Sequence, residues 1–211
     1  MGRSVSLSDD GDALAVGAME NDGSGLDAER ALVFRFQDNE WLQRGQQLDR
    51  FAAGDKFGRS VILSGDGYVF AAGAYYNHAG GQDAGHVRIF RYSVTITEWE
   101  AVGLVINGMA ARNWFGRESA LSGDGTTLVT GCPFHEKTGS VRVFIFDFTL
   151  MCHQKHTSHY RYSRSSHGLE RVFDISRRGN SLVNVLFDTT IYPHYDPLVF
   201  IFHGGRWIGL V

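Results

Sequence analysis

The chain has 211 residues, of which 43% are hydrophobic and 20% are charged, and its formal net charge is −3. This composition excludes an intrinsically disordered chain, and so small a charge gives no reason to expect a nucleic-acid partner. No apolar run approaches the roughly 20 residues of a bilayer-spanning helix, and the N-terminal segment lacks the apolar region of a signal peptide.

The predicted elements repeat along the chain. Each copy contains a Ser-x-Asp-Gly turn, and the turn glycines Gly11, Gly67 and Gly125 are 56 and 58 residues apart. Asp and Gly at these places favour a tight hairpin between two short strands. Alternation of apolar and polar residues predicts two further strands in each copy. In the second copy the four predicted strands are 60–64, 68–72, 86–92 and 98–102.

A fourth, degenerate copy follows the first three. The aromatic residues of the predicted third strand, Phe34, Phe90, Phe144 and Phe200, are separated by 56, 54 and 56 residues. A constant period through a diverged segment indicates one repeat domain. We assign its copies to 1–54, 55–112, 113–166 and 167–211.

One four-stranded unit of this size cannot bury both of its faces, so neighbouring copies must stack. A period of this length fits one blade of a propeller better than one turn of a linear solenoid. The sequence therefore predicts an all-β chain, a partial or four-bladed β-propeller with four-stranded antiparallel blades. The arginines repeated at the same place in each copy are interpreted as structural hydrogen-bonding residues between blades: Arg3, Arg59, Arg117 and Arg171.

The repeat resembles the FG-GAP repeat of the integrin α-subunit β-propeller. The resemblance is carried by FGRSVILSGDGYVFAAGA from Phe57, by the later GHVRIF, and by the second "FG" at Phe115. It implies a propeller, usually of seven blades, on a secreted or cell-surface protein that works in adhesion or ligand binding. Four copies fall short of seven, and both ends of the repeat array look cut. We therefore expect part of a longer propeller rather than a closed four-bladed ring.

No metal or other cofactor is expected. In the calcium-binding form of this family the hairpin turn supplies a cage of oxygen ligands. Here Ile62 and Phe70 take the first and last ligand places of the second copy, which leaves only Ser64 and Asp66. The histidine-rich segment 151–167 matches no zinc-site spacing and is interpreted as a polar linker between the third and fourth copies.

The predicted function is a non-catalytic module that binds a protein or a glycan through loops on one rim of the propeller. The candidate loops are 20–30, 75–85 and 134–139, with Tyr75, Tyr76 and Phe134 as ligand-binding residues. One alternative is a carbohydrate-active propeller enzyme, which would need non-repeating acidic residues converging at one mouth. Another is a non-functional fragment of a longer propeller.

Overall fold

The computed structural model describes residues 2–18, 29–49, 52–133 and 140–148. It also describes five later segments, as strands without their side chains: 153–161, 171–175, 183–186, 198–203 and 206–210. No α-helix occurs in this part of the chain. It therefore holds no helix that could cross a bilayer.

The strands form four antiparallel sheets in chain order, which we call blades 1 to 4. Blade 1 contains β1 (Ser4–Leu7), β2 (Ala13–Ala18), β3 (Arg30–Gln37), β4 (Glu40–Gln43) and β5 (Leu48–Asp49). Blade 2 contains β6 (Phe57–Leu63), β7 (Val69–Ala74), β8 (His86–Ser93), β9 (Glu98–Ala101) and β10 (Ile106–Asn107). Blade 3 contains β11 (Ser119–Leu121), β12 (Thr127–Cys132), β13 (Ser140–Asp147) and β14 (His153–Arg161). Blade 4 contains β15 (Arg171–Ile175), β16 (Val183–Leu186), β17 (Leu198–His203) and β18 (Arg206–Leu210).

The predicted all-β propeller fold is confirmed. Each blade pairs its strands in sequence, and the two-residue strands β5 and β10 add a second, short pairing to the third strand of their own blades. The first strand of each blade packs on the first strand of the blade before it, from blade 1 through to blade 4.

The repeated Ser-x-Asp-Gly turn is built by its own side chains. In blade 2 the Ser64 hydroxyl and the Tyr68 backbone N–H both donate to Asp66 Oδ1, and the Val69 N–H donates to Ser64 Oγ. Gly67 closes the turn at a φ of 69°, a conformation that strains residues with a Cβ atom. The same bonds recur in blades 1 and 3. The repeated aspartates thus form turns, as their spacing indicates.

Blades contact each other closely where the repeat places glycine. A Cβ on Gly17 of blade 1 would lie 2.0 Å from the carbonyl oxygen of Gly58 in blade 2. A Cβ on Gly73 would likewise lie 1.9 Å from the Gly116 oxygen of blade 3. Phe57, the residue before Gly58, is completely buried in the core between blades 1 and 2. The phenylalanine-glycine pair therefore serves the packing of one blade on the next, which any stack of blades requires regardless of its function.

The segment 151–167 is not a linker along its whole length, so that prediction is wrong. Residues 153–161 form β14, the fourth strand of blade 3, which pairs with β13 along its whole length. An outermost strand needs only one hydrogen-bonded neighbour and tolerates a polar sequence. A polar sequence is therefore compatible with an edge strand as well as with a linker, and polarity alone does not distinguish them.

Candidate functional site

Three arginines lie at equivalent places at one end of blades 1, 2 and 3. Arg3, Arg59 and Arg117 each directly follow a glycine with a φ of 83°, 81° or 82° at the start of the blade. Because the three blades share this backbone turn, the three side chains start from the same end of the propeller. We call this end the arginine mouth.

Glu118 places a carboxylate among these arginines. Its Oε1 lies 3.2 Å from Nη2 of Arg59, and the ion pair therefore joins blade 2 to blade 3. Burial lowers the pKa of Arg59, Glu118 raises it, and the neighbouring Arg3 and Arg117 lower it again. Three guanidinium groups and one carboxylate thus share the mouth, which leaves it with excess positive charge.

Glu118 does not belong to the repeat. Ser4 and Ser60 occupy its place in blades 1 and 2. These serines stabilise the contact between blades, since the Ser60 hydroxyl of blade 2 donates to the Gly116 carbonyl oxygen of blade 3 at 3.0 Å. Glu118 is about one-third exposed, so its carboxylate is open to solvent and to a ligand.

Three aromatic rings form a wall beside the arginines. The rings of Tyr75 and Tyr76 lie 4.2 Å apart, and each lies 5.7 Å from the ring of Trp114. The Arg117 guanidinium lies 5.2 Å from the Trp114 ring, within the range of a cation–π contact. Burial, helped by Tyr76, raises the pKa of the Tyr75 hydroxyl, which therefore stays a neutral hydrogen-bonding group near Arg59 and Arg117.

The arrangement suits an anionic, partly apolar ligand. Guanidinium groups bind phosphate and carboxylate oxygens, and half-exposed aromatic rings pack against the C–H faces of a sugar. Glu118 adds a carboxylate that can accept a proton. The candidate site therefore consists of Arg3, Arg59, Arg117, Glu118, Tyr75, Tyr76 and Trp114.

The ligand-binding role expected for Tyr75, Tyr76 and Phe134 stays a prediction. Tyr75 and Tyr76 do lie together at the mouth, whereas Phe134 and most of loop 20–30 lie outside the described residues. Trp114 was missed, although it directly precedes the second "FG" of the repeat. Glu118 was missed because the acidic residues that recur in the sequence lie in the hairpin turns, at the opposite ends of the strands.

The repeated arginines were interpreted as hydrogen-bonding residues between blades, and the structure describes contacts for two of them. Arg59 does reach the next blade, as an ion pair with Glu118. Arg117 instead lies over Trp114 at the end of its own blade. The side chains of blade 4, which follows Arg117, lie outside the described residues.

A metal centre is not apparent in the described residues, where no group of three His, Cys, Asp or Glu side chains lies close enough to hold an ion. In the hairpin turns, aspartate oxygens accept hydrogen bonds from their own turns. The expectation that the protein uses no cofactor stays a prediction.

The chain is similar in fold to several solved propellers. A protein from Bacteroides uniformis, provisionally named a 6-phosphogluconolactonase, matches with a TM-score of 0.56 and 16% identity over 98% of this chain and 52% of that one. The periplasmic gluconolactonase PpgL of Pseudomonas aeruginosa matches with a TM-score of 0.50 and 12% identity over 99% of this chain and 70% of that one. The propeller domain of the Trilobed protease of Pyrococcus furiosus gives a TM-score of 0.53 and 14% identity over 99% of this chain and 56% of that one.

This chain therefore spans about half the length of the Bacteroides and Pyrococcus structures that it matches. At these identities the likeness shows the fold, a β-propeller. No family model matches the sequence, and no curated protein matches it.

The resemblance to FG-GAP repeats is wrong. The structural neighbours are lactonase and protease propellers rather than integrin-like ones. The physical reason lies in the repeat itself, since its glycines serve blade contact and its aspartates serve turns. Those needs are common to stacked four-stranded blades and do not specify adhesion.

The predicted non-catalytic adhesion module is overturned with that resemblance, and so is the expectation that the chain is not an enzyme. Several structural neighbours are proteins named as lactonases rather than adhesion modules. The carbohydrate-active alternative required non-repeating acidic residues converging at one mouth, and Glu118 is one such residue among the described side chains.

Proposed function

We propose that this chain forms part of a propeller hydrolase that opens a sugar lactone, with a phosphorylated aldonolactone as the preferred class of substrate. The observation that carries the proposal is the arginine mouth, where Arg59 pairs with the non-repeating Glu118 and two further arginines lie near Arg59, beside an aromatic wall. The names of the lactonase neighbours support the choice of reaction. The activity belongs to the whole protein, of which this chain supplies the described mouth.

The arginines would bind the anionic end of the substrate. Glu118 offsets only one of the three positive charges, so a phosphate or carboxylate group gains attraction when it enters the mouth. Bidentate guanidinium–oxyanion pairs also fix the orientation of the group they bind. The rings of Tyr76 and Trp114 would then pack against the carbon skeleton of the sugar.

Glu118 would act as the general base of hydrolysis. Its carboxylate takes a proton from water as the water oxygen bonds to the lactone carbonyl carbon. An arginine of the mouth stabilises the negative charge that develops on the carbonyl oxygen. The bond between that carbon and the ring oxygen then breaks, and the proton held by Glu118 passes to the ring oxygen. The product is an open-chain acid with a free hydroxyl group.

Localisation outside the cytoplasm is a separate proposal. It is supported by the Pseudomonas neighbour, which is described as periplasmic.

The test measures acid release from 6-phosphogluconolactone and from gluconolactone in weak buffer, with the spontaneous rate subtracted. Removing a general base lowers the rate by about 10²–10⁴-fold, so Glu118→Gln should approach the spontaneous rate while keeping its circular dichroism spectrum. Glu100→Gln, an exposed position in the fourth strand of blade 2, is the matched control and should match the unmodified protein. An unmodified protein that adds nothing to the spontaneous rate, or a fully active Glu118→Gln variant, would overturn the proposal.

A further inference from the structure

A second depression lies between blades 1 and 2, at the end of the blades opposite to the arginine mouth. This outer groove has a volume of about 760 Å³, which is in the size range of small-molecule sites. The hairpin turn before β7 and the turn between β8 and β9 border it. Its lining residues are Arg35, Gln37, Leu42, Gln43, Arg44, Gly45, Gln46, Tyr68, Tyr92, Val94, Thr97 and Glu98.

The floor of the outer groove is a buried arginine held between two aromatic rings. Arg44 is only 8% exposed, and its guanidinium carbon lies 4.2 Å from the ring centre of Tyr68 and 4.1 Å from that of Tyr92. Its Nη1 donates to the Gly67 carbonyl oxygen at 3.1 Å. Within the described residues it forms no ion pair. A buried cation with no carboxylate partner attracts an anionic ligand that can supply one.

Blade-to-blade contacts hold this floor rigid. The Arg44 carbonyl oxygen accepts a hydrogen bond from the Trp99 indole N–H at 2.8 Å. The Gln46 side chain bonds both the N–H and the carbonyl oxygen of Trp99, each at 2.7 Å. At Gly45 a Cβ would lie 2.7 Å from the Trp99 ring, so that place requires glycine. The groove is therefore shaped before a ligand binds, which lowers the entropic cost of binding.

The walls favour a ligand with widely spaced charges. Arg35 is the other cation of the lining, and it already lies near two aspartates, Asp10 at 3.8 Å and Asp12 at 3.6 Å. Gln37 and Gln43 present amides, and the exposed side chains of Leu42 and Val94 present apolar surface. Glu98 on the opposite wall would repel a densely charged polyanion.

We propose that the outer groove binds an acidic saccharide, with a uronic acid carboxylate on Arg44. Such a sugar carries one carboxylate per ring, with hydroxyl groups that match the wall amides and C–H faces that match the apolar side chains. An acidic peptide would bring its carboxylates closer together and would need partners for its backbone amides. This site does not depend on the proposed lactonase activity.

The test uses isothermal titration calorimetry with trigalacturonate, with neutral maltotriose and triglutamate as comparison ligands. Trigalacturonate should bind, and Val94→Glu should weaken its binding at least ~10-fold by placing a like charge on the wall. Ile96→Glu is the matched control, because Ile96 is 50% exposed in the same turn and does not line the groove. Its affinity should be unchanged, as should that of Glu118→Gln.

Arg44→Gln should abolish binding of trigalacturonate, and Val94→Glu keeps the test valid if the Arg44 variant fails to fold. No trigalacturonate binding by the unmodified protein, or equal affinities of Val94→Glu and Ile96→Glu, would overturn the proposal. If maltotriose bound as tightly as trigalacturonate, the carboxylate would not be what the groove recognises. If triglutamate bound more tightly, the ligand would be an acidic peptide rather than a saccharide.

Discussion

Blade stacking can be tested at two equivalent glycines that differ only in their surroundings. Gly11 and Gly67 close the hairpin turns of blades 1 and 2, with φ angles of 76° and 69°. A Cβ on Gly11 would meet nothing within 4 Å, whereas a Cβ on Gly67 would lie 2.8 Å from the Cβ of Ala13 in blade 1. Substitution by alanine therefore separates the cost of the backbone conformation from the cost of the blade contact.

The left-handed conformation costs an alanine about 1–2 kcal/mol, and both variants lose that amount of folding free energy. Carbon atoms normally approach to about 3.5–4.0 Å, so Gly67→Ala must also move blade 2 away from blade 1 or distort the turn. Overpacking of this kind costs about 1–3 kcal/mol more. For a chain of this length each kcal/mol lowers the melting temperature by about 2–4 °C.

The assay is urea unfolding of Gly11→Ala, Gly67→Ala and the unmodified protein, followed by circular dichroism. Gly67→Ala should have the lowest midpoint, with an unchanged dependence of the unfolding free energy on urea concentration. Gly125→Ala should behave like Gly67→Ala, because its Cβ would lie 2.7 Å from Cγ2 of Val69. Equal losses at Gly11 and Gly67 would refute the stacking argument.

Three further predictions follow from buried groups. Burial lowers the pKa of His86 to about 4. On acidification this histidine is therefore protonated in the unfolded chain before it is protonated in the folded one. The unfolding free energy should fall between about pH 6.5 and pH 4, by roughly 3 kcal/mol. His86→Gln should remove that part of the decline in a series of urea midpoints, and an identical decline in the variant would contradict the assignment. Burial raises the pKa of the Cys132 thiol to about 11, so iodoacetamide should label this cysteine only after unfolding. Peptide mass spectrometry measures the labelling, and rapid labelling of the folded protein would be inconsistent with burial of the thiol. Trp99→Phe removes the hydrogen bond to Arg44 and should lower the unfolding free energy by about 1–2 kcal/mol. Trp41→Phe, at an exposed position, should change the unfolding free energy little. Similar losses in the two variants would argue against this blade-to-blade bond.

The fold was predictable because it depends on a repeated pattern. The Ser-x-Asp-Gly turns specify the hairpins through local hydrogen bonds, and the recurring glycines specify where blades approach. The polar strand β14 was not predictable in the same way, since an edge strand needs no apolar face. Local sequence rules therefore located the outermost strand of blade 2 but not the polar one of blade 3.

The site was less accessible to sequence reasoning because it is made of departures from the repeat. Glu118 replaces a serine, and Trp114 precedes a motif whose other residues serve packing. Glu118 and Trp114 become candidate functional residues only when the three blades bring Arg3, Arg59 and Arg117 to one mouth. Tyr75 and Tyr76 were proposed from sequence because they lie in a loop that varies between copies. A rule that compares copies and selects the odd residue would have identified Glu118 as well.

The central claim, that the arginine mouth binds an anionic sugar derivative, is tested most directly by a crystal structure with 6-phosphogluconate, the open-chain acid. We expect its phosphate or carboxylate within hydrogen-bonding distance of Arg3, Arg59 or Arg117, with its carbon chain against Trp114. Density for the acid at another place, or an empty mouth at a saturating concentration, would contradict the account.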